Sequence, residues 1–206
     1  PLNLDSRIGA SFSNQDADAP EARPARSVIP ATVLLQFIRR LGDSFGVVPC
    51  TGVLVGNDVV LTARHCAPSS AIASTGKAFF DFDQFGQIPS RPIDIIGYAV
   101  VNEQLSRMDA VCLRLRIRPD DATARIARLS VRSPARGAHL RIVHHYQGGY
   151  KRISYDEECR TEELNVVGSV GLDDFTHGCD TDPRSSGSPV VKAADGTLVG
   201  IHHLGR

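Results

Sequence analysis

From residue 31 onward, short apolar runs alternate with polar turn signals at a spacing too tight for long helices. The runs are Thr32–Phe37, Thr51–Val55, Val59–Thr62, Ala78–Phe82, Ile93–Val101 and Val111–Ile117. After a polar stretch they resume as His139–His145, Leu164–Val170, Val190–Lys192 and Leu198–His202. Most are rich in β-branched residues and bounded by turn formers, which predicts strands. Leu113-Arg114-Leu115-Arg116-Ile117-Arg118 alternates strictly, the pattern of a half-buried strand. Asp195-Gly196 predicts a hairpin turn. Many short strands with little helix predict an all-β fold, a barrel or a sandwich. The Arg-rich joint at residues 119–138 reads as a linker between two similar halves, residues 31–118 and 139–206.

Composition adds boundaries. Residues 1–30 are rich in Ala, Pro, Asp, Arg and Ser and read as a flexible tail or propeptide remnant. The 206 residues are enough to bury a sizeable core, and 42% are hydrophobic. No apolar run approaches the roughly 18 residues of a membrane-spanning helix. The 23 basic and 23 acidic residues balance, which argues against nucleic acid as a partner. The charge is uneven, however. Residues 107–152 hold 11 Arg or Lys against 3 Asp or Glu, and residues 153–195 hold 3 against 10, which reads as two solvated faces. Five cysteines, Cys50, Cys66, Cys112, Cys159 and Cys179, leave at least one thiol unpaired. No CxxC pair is present, and the successive residues His144 and His145 would point to opposite faces of a strand, so no metal or other cofactor is expected. Two disulfides imply an oxidising compartment, secreted or periplasmic.

The candidate chemistry lies in Asp180-Thr181-Asp182-Pro183-Arg184-Ser185-Ser186-Gly187-Ser188-Pro189. Ser186, followed by glycine and a strand, reads as a nucleophile on a tight turn. A serine needs an adjacent base to take its proton. His65 ends the run Val59–Thr62 and precedes Cys66; a Cys50–Cys66 bridge would pin its loop. A lone histidine there is more often structural, and Asp109, at the head of an apolar strand, can be a solvated cap. Buried beside an imidazole, Asp109 would instead fix its tautomer and stabilise the imidazolium.

Three segments in this order resemble a known family. Thr62-Ala63-Arg64-His65-Cys66 is similar to the Thr-Ala-Ala-His-Cys of chymotrypsin-fold serine proteases. Asp109-Ala110-Val111-Cys112-Leu113 is similar to their Asp-Ile-Ala-Leu-Leu, and Ser185-Ser186-Gly187-Ser188-Pro189 to the Asn-Ser-Gly-Ser-Pro of the bacterial glutamyl-endopeptidase branch. His177-Gly178-Cys179-Asp180-Thr181, His145-Tyr146-Gln147-Gly148-Gly149-Tyr150-Lys151 and Gly200-Ile201-His202 also resemble segments of that branch. The resemblance spans about residues 31–206. It implies two antiparallel six-stranded β-barrels with the active site in the cleft between them. It implies His65, Asp109 and Ser186 as catalytic triad, a Cys159–Cys179 bridge beside Cys50–Cys66, and Cys112 as a small buried residue. A protein or peptide is then the substrate. Thr181 and His202, with His203 adjacent, would bind a substrate carboxylate and favour Glu. Asp180 stands where trypsins bind Arg or Lys, so a basic preference stays open.

Three departures accompany the resemblance. Arg184 replaces the glycine whose N–H, with that of Ser186, forms the oxyanion hole; a side chain resists the backbone conformation that glycine permits. Ser185 replaces the aspartate that pairs with a new N-terminus in trypsin activation, although Arg7-Ile8-Gly9 has the look of an activation site. The family continues past the position of Arg206 with another strand and a helix, so the second barrel is expected to be incomplete within these residues. The rival expectation is a latent protease-fold protein serving as a binding module; a disulfide-stapled barrel unrelated to proteases is a remoter one.

Overall fold

The computed structural model describes residues 25–83, 89, 91–101, 108–119, 126–130, 132–166 and 174–204. Twelve strands and one four-residue helix are defined among them. The first half contains β1 (Thr32–Leu41), β2 (Ser44–Leu54), β3 (Val59–Ala63), α1 (Ser70–Ala73), β4 (Lys77–Phe79), β5 (Ile93–Val100) and β6 (Ala110–Leu115). Its six strands close into an antiparallel barrel in the order β1-β2-β3-β6-β5-β4. β1 and β2 form a long hairpin, paired from Thr32↔Val53 to Leu41↔Ser44 around a two-residue turn. That turn has Gly42 at φ 64, and a glycine-first turn matches the right-handed twist of the flanking strands.

The second half contains β7 (Leu140–His145), β8 (Lys151–Ser154), β9 (Thr161–Val166), β10 (Asp174–His177), β11 (Pro189–Lys192) and β12 (Leu198–Ile201). As expected of an incomplete second barrel, this half stays open among the described residues. The six strands divide into a four-stranded sheet, β12-β11-β7-β8, and the two-stranded β10-β9. The sheets are stitched together by Leu140 N–H to Cys159 O at 2.8 Å, Thr161 N–H to Ala138 O at 2.9 Å and the Cys159–Cys179 disulfide.

Alternation decides what faces inward. In β6, Val111, Leu113 and Leu115 are buried and Arg114 is exposed. The strand ends at Leu115, so Ile117, expected to continue it, is 61% exposed. The larger core cluster joins residues of both halves, including Val33, Phe37, Val60 and Leu113 with Val143, Ile153, Val191 and Leu198. It also takes in Ala25 and Val28, so the last residues of the stretch read as a tail are packed into the core. The residues described within 119–138 tie to both halves: Ala127 N–H donates to Leu54 O, and Leu198 N–H donates to Arg128 O. Among the described residues no helix is long and apolar enough to cross a membrane.

Candidate active site

His65 sits in the turn after β3 because β3 pairs with β6, Ala63 opposite Ala110. That register brings together two residues 44 positions apart. Arg64 N–H donates to Asp109 O at 3.1 Å, and His65 N–H donates to Asp109 Oδ1 at 2.9 Å. Asp109 Oδ2 then lies 2.5 Å from His65 Nδ1. The Asp109 side chain is only 10% exposed, and the His65 ring is 46% exposed. Burial acts to raise the Asp109 proton affinity, but His203 and His65 on its carboxylate outweigh burial and hold it well below the usual carboxylate range. The adjacent Cys66 is bridged to Cys50 on β2, which fastens the turn. Cys112 is the free cysteine, half-buried in β6, and burial pushes its thiol up.

The turn carrying Ser186 is seated on the first barrel. Thr51 N–H donates to Ser186 O at 2.9 Å, and the Cys66 disulfide sulfur lies 3.8 Å from the same oxygen. Gly187 has φ 86, and a Cβ there would meet Thr51 O at 2.0 Å and Thr62 Oγ1 at 2.1 Å. Only glycine fits both the conformation and the contact. Ser186 is half-buried, and among the described residues its Oγ has no hydrogen-bond partner. Catalytic hydrogen bonds commonly stay long until substrate arrives.

Arg184 adopts φ 96, the left-handed region that favours glycine. Ser185 N–H donates to Asp182 O at 3.0 Å, closing a turn with Pro183 and Arg184 at its centre. Proline first and positive φ second is the pattern of a type II turn. Among the described residues, neither the Arg184 nor the Ser186 N–H enters an intramolecular hydrogen bond.

Ser185, fully buried, is held by a residue that the sequence left without a role. Its Oγ lies 2.6 Å from His144 Nδ1 and accepts from Asp182 N–H at 3.2 Å. His144 Nε2 faces Ser154 Oγ at 3.4 Å, and Ser154 Oγ–H donates to Asp180 O at 2.5 Å. Burial lowers His144 to about 3, so the ring is neutral. A neutral ring with its proton on Nε2 accepts from Ser185 and donates to Ser154. The segment from Asp180 to Ser185 is thus tied at both ends to β7 and β8. His145 turns elsewhere, its Nδ1 2.8 Å from Gly149 O.

Thr181 and Asp180 lie half-buried between Cys179 and the Ser186 turn. His202 is buried against that turn: Gly187 N–H donates to His202 O, and His202 N–H donates to Ser188 O. Its Nδ1 lies 3.2 Å from His177 Nε2 of β10. Burial lowers both rings, His177 to about 4 and His202 well below the ordinary histidine range. His203, grouped with His202 in the sequence reading, turns to carboxylates instead: Asp109 Oδ2 at 3.6 Å and Asp174 Oδ2 at 3.2 Å. No cluster of three or more metal-ligating side chains occurs among the described residues.

Sequence reasoning gave no function to His144, Ser154, Asp174 or His177. None carries a linear signal, because each acts through a partner at least ten residues away.

A family model described as a trypsin-like peptidase domain matches residues 50–201. A secreted RxLR effector protein, number 73, of Plasmopara viticola is 26% identical over 191 residues, covering 85% of this chain and 45% of that protein. The chain therefore spans less than half the length of this curated relative. Among solved structures, the scabies mite inactivated protease paralogue S-I1 matches with TM-score 0.65 and 17% identity, over 84% of this chain and 82% of that one. The Ser343Ala mutant of Rv3671c from M. tuberculosis H37Rv, in an inactive form, matches at 0.63 and 16%, over 92% and 84%. Kallikrein-related peptidase 10 matches at 0.59 and 24%, over 88% and 84%. At these identities the solved structures speak for the fold, which is chymotrypsin-like.

Proposed function

The chain belongs to the trypsin-like peptidase domain family, and from that premise we propose that it is a serine endopeptidase with His65, Asp109 and Ser186 as its triad and a preference for cleavage after Glu. The observation that carries the reading is the 2.5 Å contact between Asp109 Oδ2 and His65 Nδ1. With Nδ1 bonded to a carboxylate that stays ionised, His65 keeps Nε2 available as base. Ser186 Oγ attacks the scissile carbonyl and passes its proton to His65. His65 then gives that proton to the leaving amine, and water repeats the sequence on the acyl-enzyme. The unused N–H groups of Arg184 and Ser186 suit the role of oxyanion donors.

The preference for Glu is supported by the histidine pair. If His177 Nε2–H donates to His202 Nδ1, the neutral His202 ring carries its own proton on Nε2, a donor for a substrate carboxylate beside Thr181. Two disulfides and the secreted curated relative support work outside the reducing cytoplasm.

The test is labelling with a fluorophosphonate probe followed by profiling on a peptide library. Stoichiometric labelling that is lost in Ser186→Ala, with cleavage after Glu, is the expected result. Absence of labelling would overturn the protease reading in favour of a binding module on this fold. Cleavage after Arg or Lys would move the pocket role from His202 to Asp180.

A further inference from the structure

Asp109 is in contact with two histidines. His65 Nδ1 and His203 Nδ1 approach the same oxygen, Oδ2, at 2.5 Å and 3.6 Å. The second nitrogen of His203, Nε2, lies 3.2 Å from Asp174 Oδ2 on β10. Both of these His203 contacts are charge contacts rather than hydrogen bonds: 3.6 Å is beyond hydrogen-bond reach, and the buried Asp174 Oδ2 has no hydrogen-bond partner among the described residues, so an imidazolium is attracted to both carboxylates and a neutral ring to neither. With its side chain 20% exposed, His203 is partly shielded from water, so the two contacts are weakly screened.

The other groups around the ring are few. His65 comes from the turn after β3, Asp109 from the residue before β6, Asp174 and His177 from β10, and His202 from the end of its own strand. His177 and His202 are kept neutral by burial. Among the described residues the local charge is therefore set by Asp109, Asp174, His65 and His203. Asp109, and then Asp174, raise the proton affinity of His203 above the ordinary histidine value, against the opposing pull of burial.

We propose that His203 is a positioning residue of the catalytic site: protonated, it clamps Asp109 to Asp174 and draws off negative charge that His65 needs, and on losing its proton it leaves Asp109 to His65 alone. This rests on the triad assignment above. During acyl transfer His65 becomes an imidazolium that Asp109 must stabilise. A second cation on the same carboxylate oxygen cancels part of that stabilisation and repels the first. Because the proton affinity of His203 is raised, the ring remains charged through the ordinary histidine range and discharges above it. Reactivity rises by a factor of about three to ten as His203 discharges, a factor of ten being one pK unit of interaction.

The experiment follows the rate of Ser186 labelling by a fluorophosphonate between about pH 5 and about pH 10 in the full chain. The unaltered chain is expected to show a rise above the ordinary histidine range. His203→Gln, which keeps one neutral donor, is expected to lack that rise. Asp174→Asn is expected to move the rise to lower pH. A profile of the unaltered chain that superimposes on that of His203→Gln overturns the proposal. A readout independent of turnover is the ring-proton titration of His203 by NMR in Ser186→Ala. It should lie above the ordinary histidine range and fall when Asp174→Asn is added; a titration that Asp174→Asn leaves unmoved overturns the bridge. Absence of Ser186 labelling at every pH counts against the protease assignment, and the NMR titration then decides the bridge alone.

Discussion

Arg184→Gly separates two consequences of one backbone angle. At φ 96 a residue with a Cβ is strained by about 1–2 kcal/mol, and glycine is not. Glycine also loosens the unfolded chain, which returns about 0.4–1 kcal/mol of the gain. The net stabilisation is about 0.5–1 kcal/mol, or an increase in Tm of about 1–4 °C for a chain of this size. The catalytic consequence is much smaller. Arg184 already adopts the glycine conformation, and its N–H is not used elsewhere among the described residues, so the substitution supplies no donor that is missing. The fluorophosphonate labelling rate and kcat/KM should change by less than about threefold, whereas one oxyanion donor is worth about 100- to 1,000-fold. Thermal unfolding by circular dichroism and labelling kinetics are the two assays. A gain of two orders of magnitude in rate would refute the view that the loop is already set in the Arg184 chain. A lower Tm would refute the strain argument.

Two further outcomes are expected. Ser185→Ala removes the donor facing the buried His144 Nδ1, which costs about 1–3 kcal/mol and frees the Asp180 to Ser185 segment. Tm should fall by several degrees and kcat by tenfold or more; Ser185→Thr should restore both, and an unchanged kcat in Ser185→Ala would show that the His144 link does not position this loop. For the whole chain, stability should fall with acid below about pH 6.5. His144 and His145 are lowered by burial to about 3 and His177 to about 4, so between there and pH 6.5 the unfolded chain takes up protons that the folded chain refuses. At pH 5 this amounts to at most about 2 kcal/mol per ring. His203 has the opposite sign, because its raised affinity favours the fold below pH 6.5, but it is one ring against four, since burial lowers His202 as well. Urea midpoints at about pH 7.5 and about pH 5 check the balance, and equal midpoints would contradict it.

The strand pattern was legible wherever one side of a strand is apolar. β3, β5, β6, β7 and β11 lie within two residues of the runs that predicted them. β8 and β10 were missed because Lys151-Arg152-Ile153-Ser154 and Asp174-Phe175-Thr176-His177 are mostly polar. Lys151 is nevertheless 7% exposed; it donates to Phe80 O at 2.7 Å and lies 2.7 Å from Asp83 Oδ1. The outer part of β2, Ser44–Pro49, escaped because Phe45 and Val47 are exposed and only the β1 ladder holds it. At the site, the sequence could name residues that stand beside cysteines and glycines. It could not show which side of Asp109 His203 would take, because that depends on β10 lying across the end of β12. Nor could it show that His144 supports Ser185, since the polar partner of a buried ring is chosen by the packing of a distant loop.

Much of the site's order comes from a strand with no candidate catalytic residue. Thr51 of β2 uses all three of its polar groups at the meeting point of the halves. Its N–H holds Ser186 O, its carbonyl accepts Thr62 Oγ1–H at 2.7 Å, and its Oγ1 accepts His145 N–H at 3.0 Å. Thr62 stands three residues before His65, and Cys50, next to Thr51, is bridged to Cys66. The turns carrying His65 and Ser186 are therefore both fixed to the same short segment of β2. The missing side chain of Gly187 lets the second turn come close enough to be fixed there. Loops alone would leave the two turns free to drift, and a drift of about 1 Å can cost 100-fold in rate. Fixing both to one buried strand makes their separation a property of the barrel rather than of the loops.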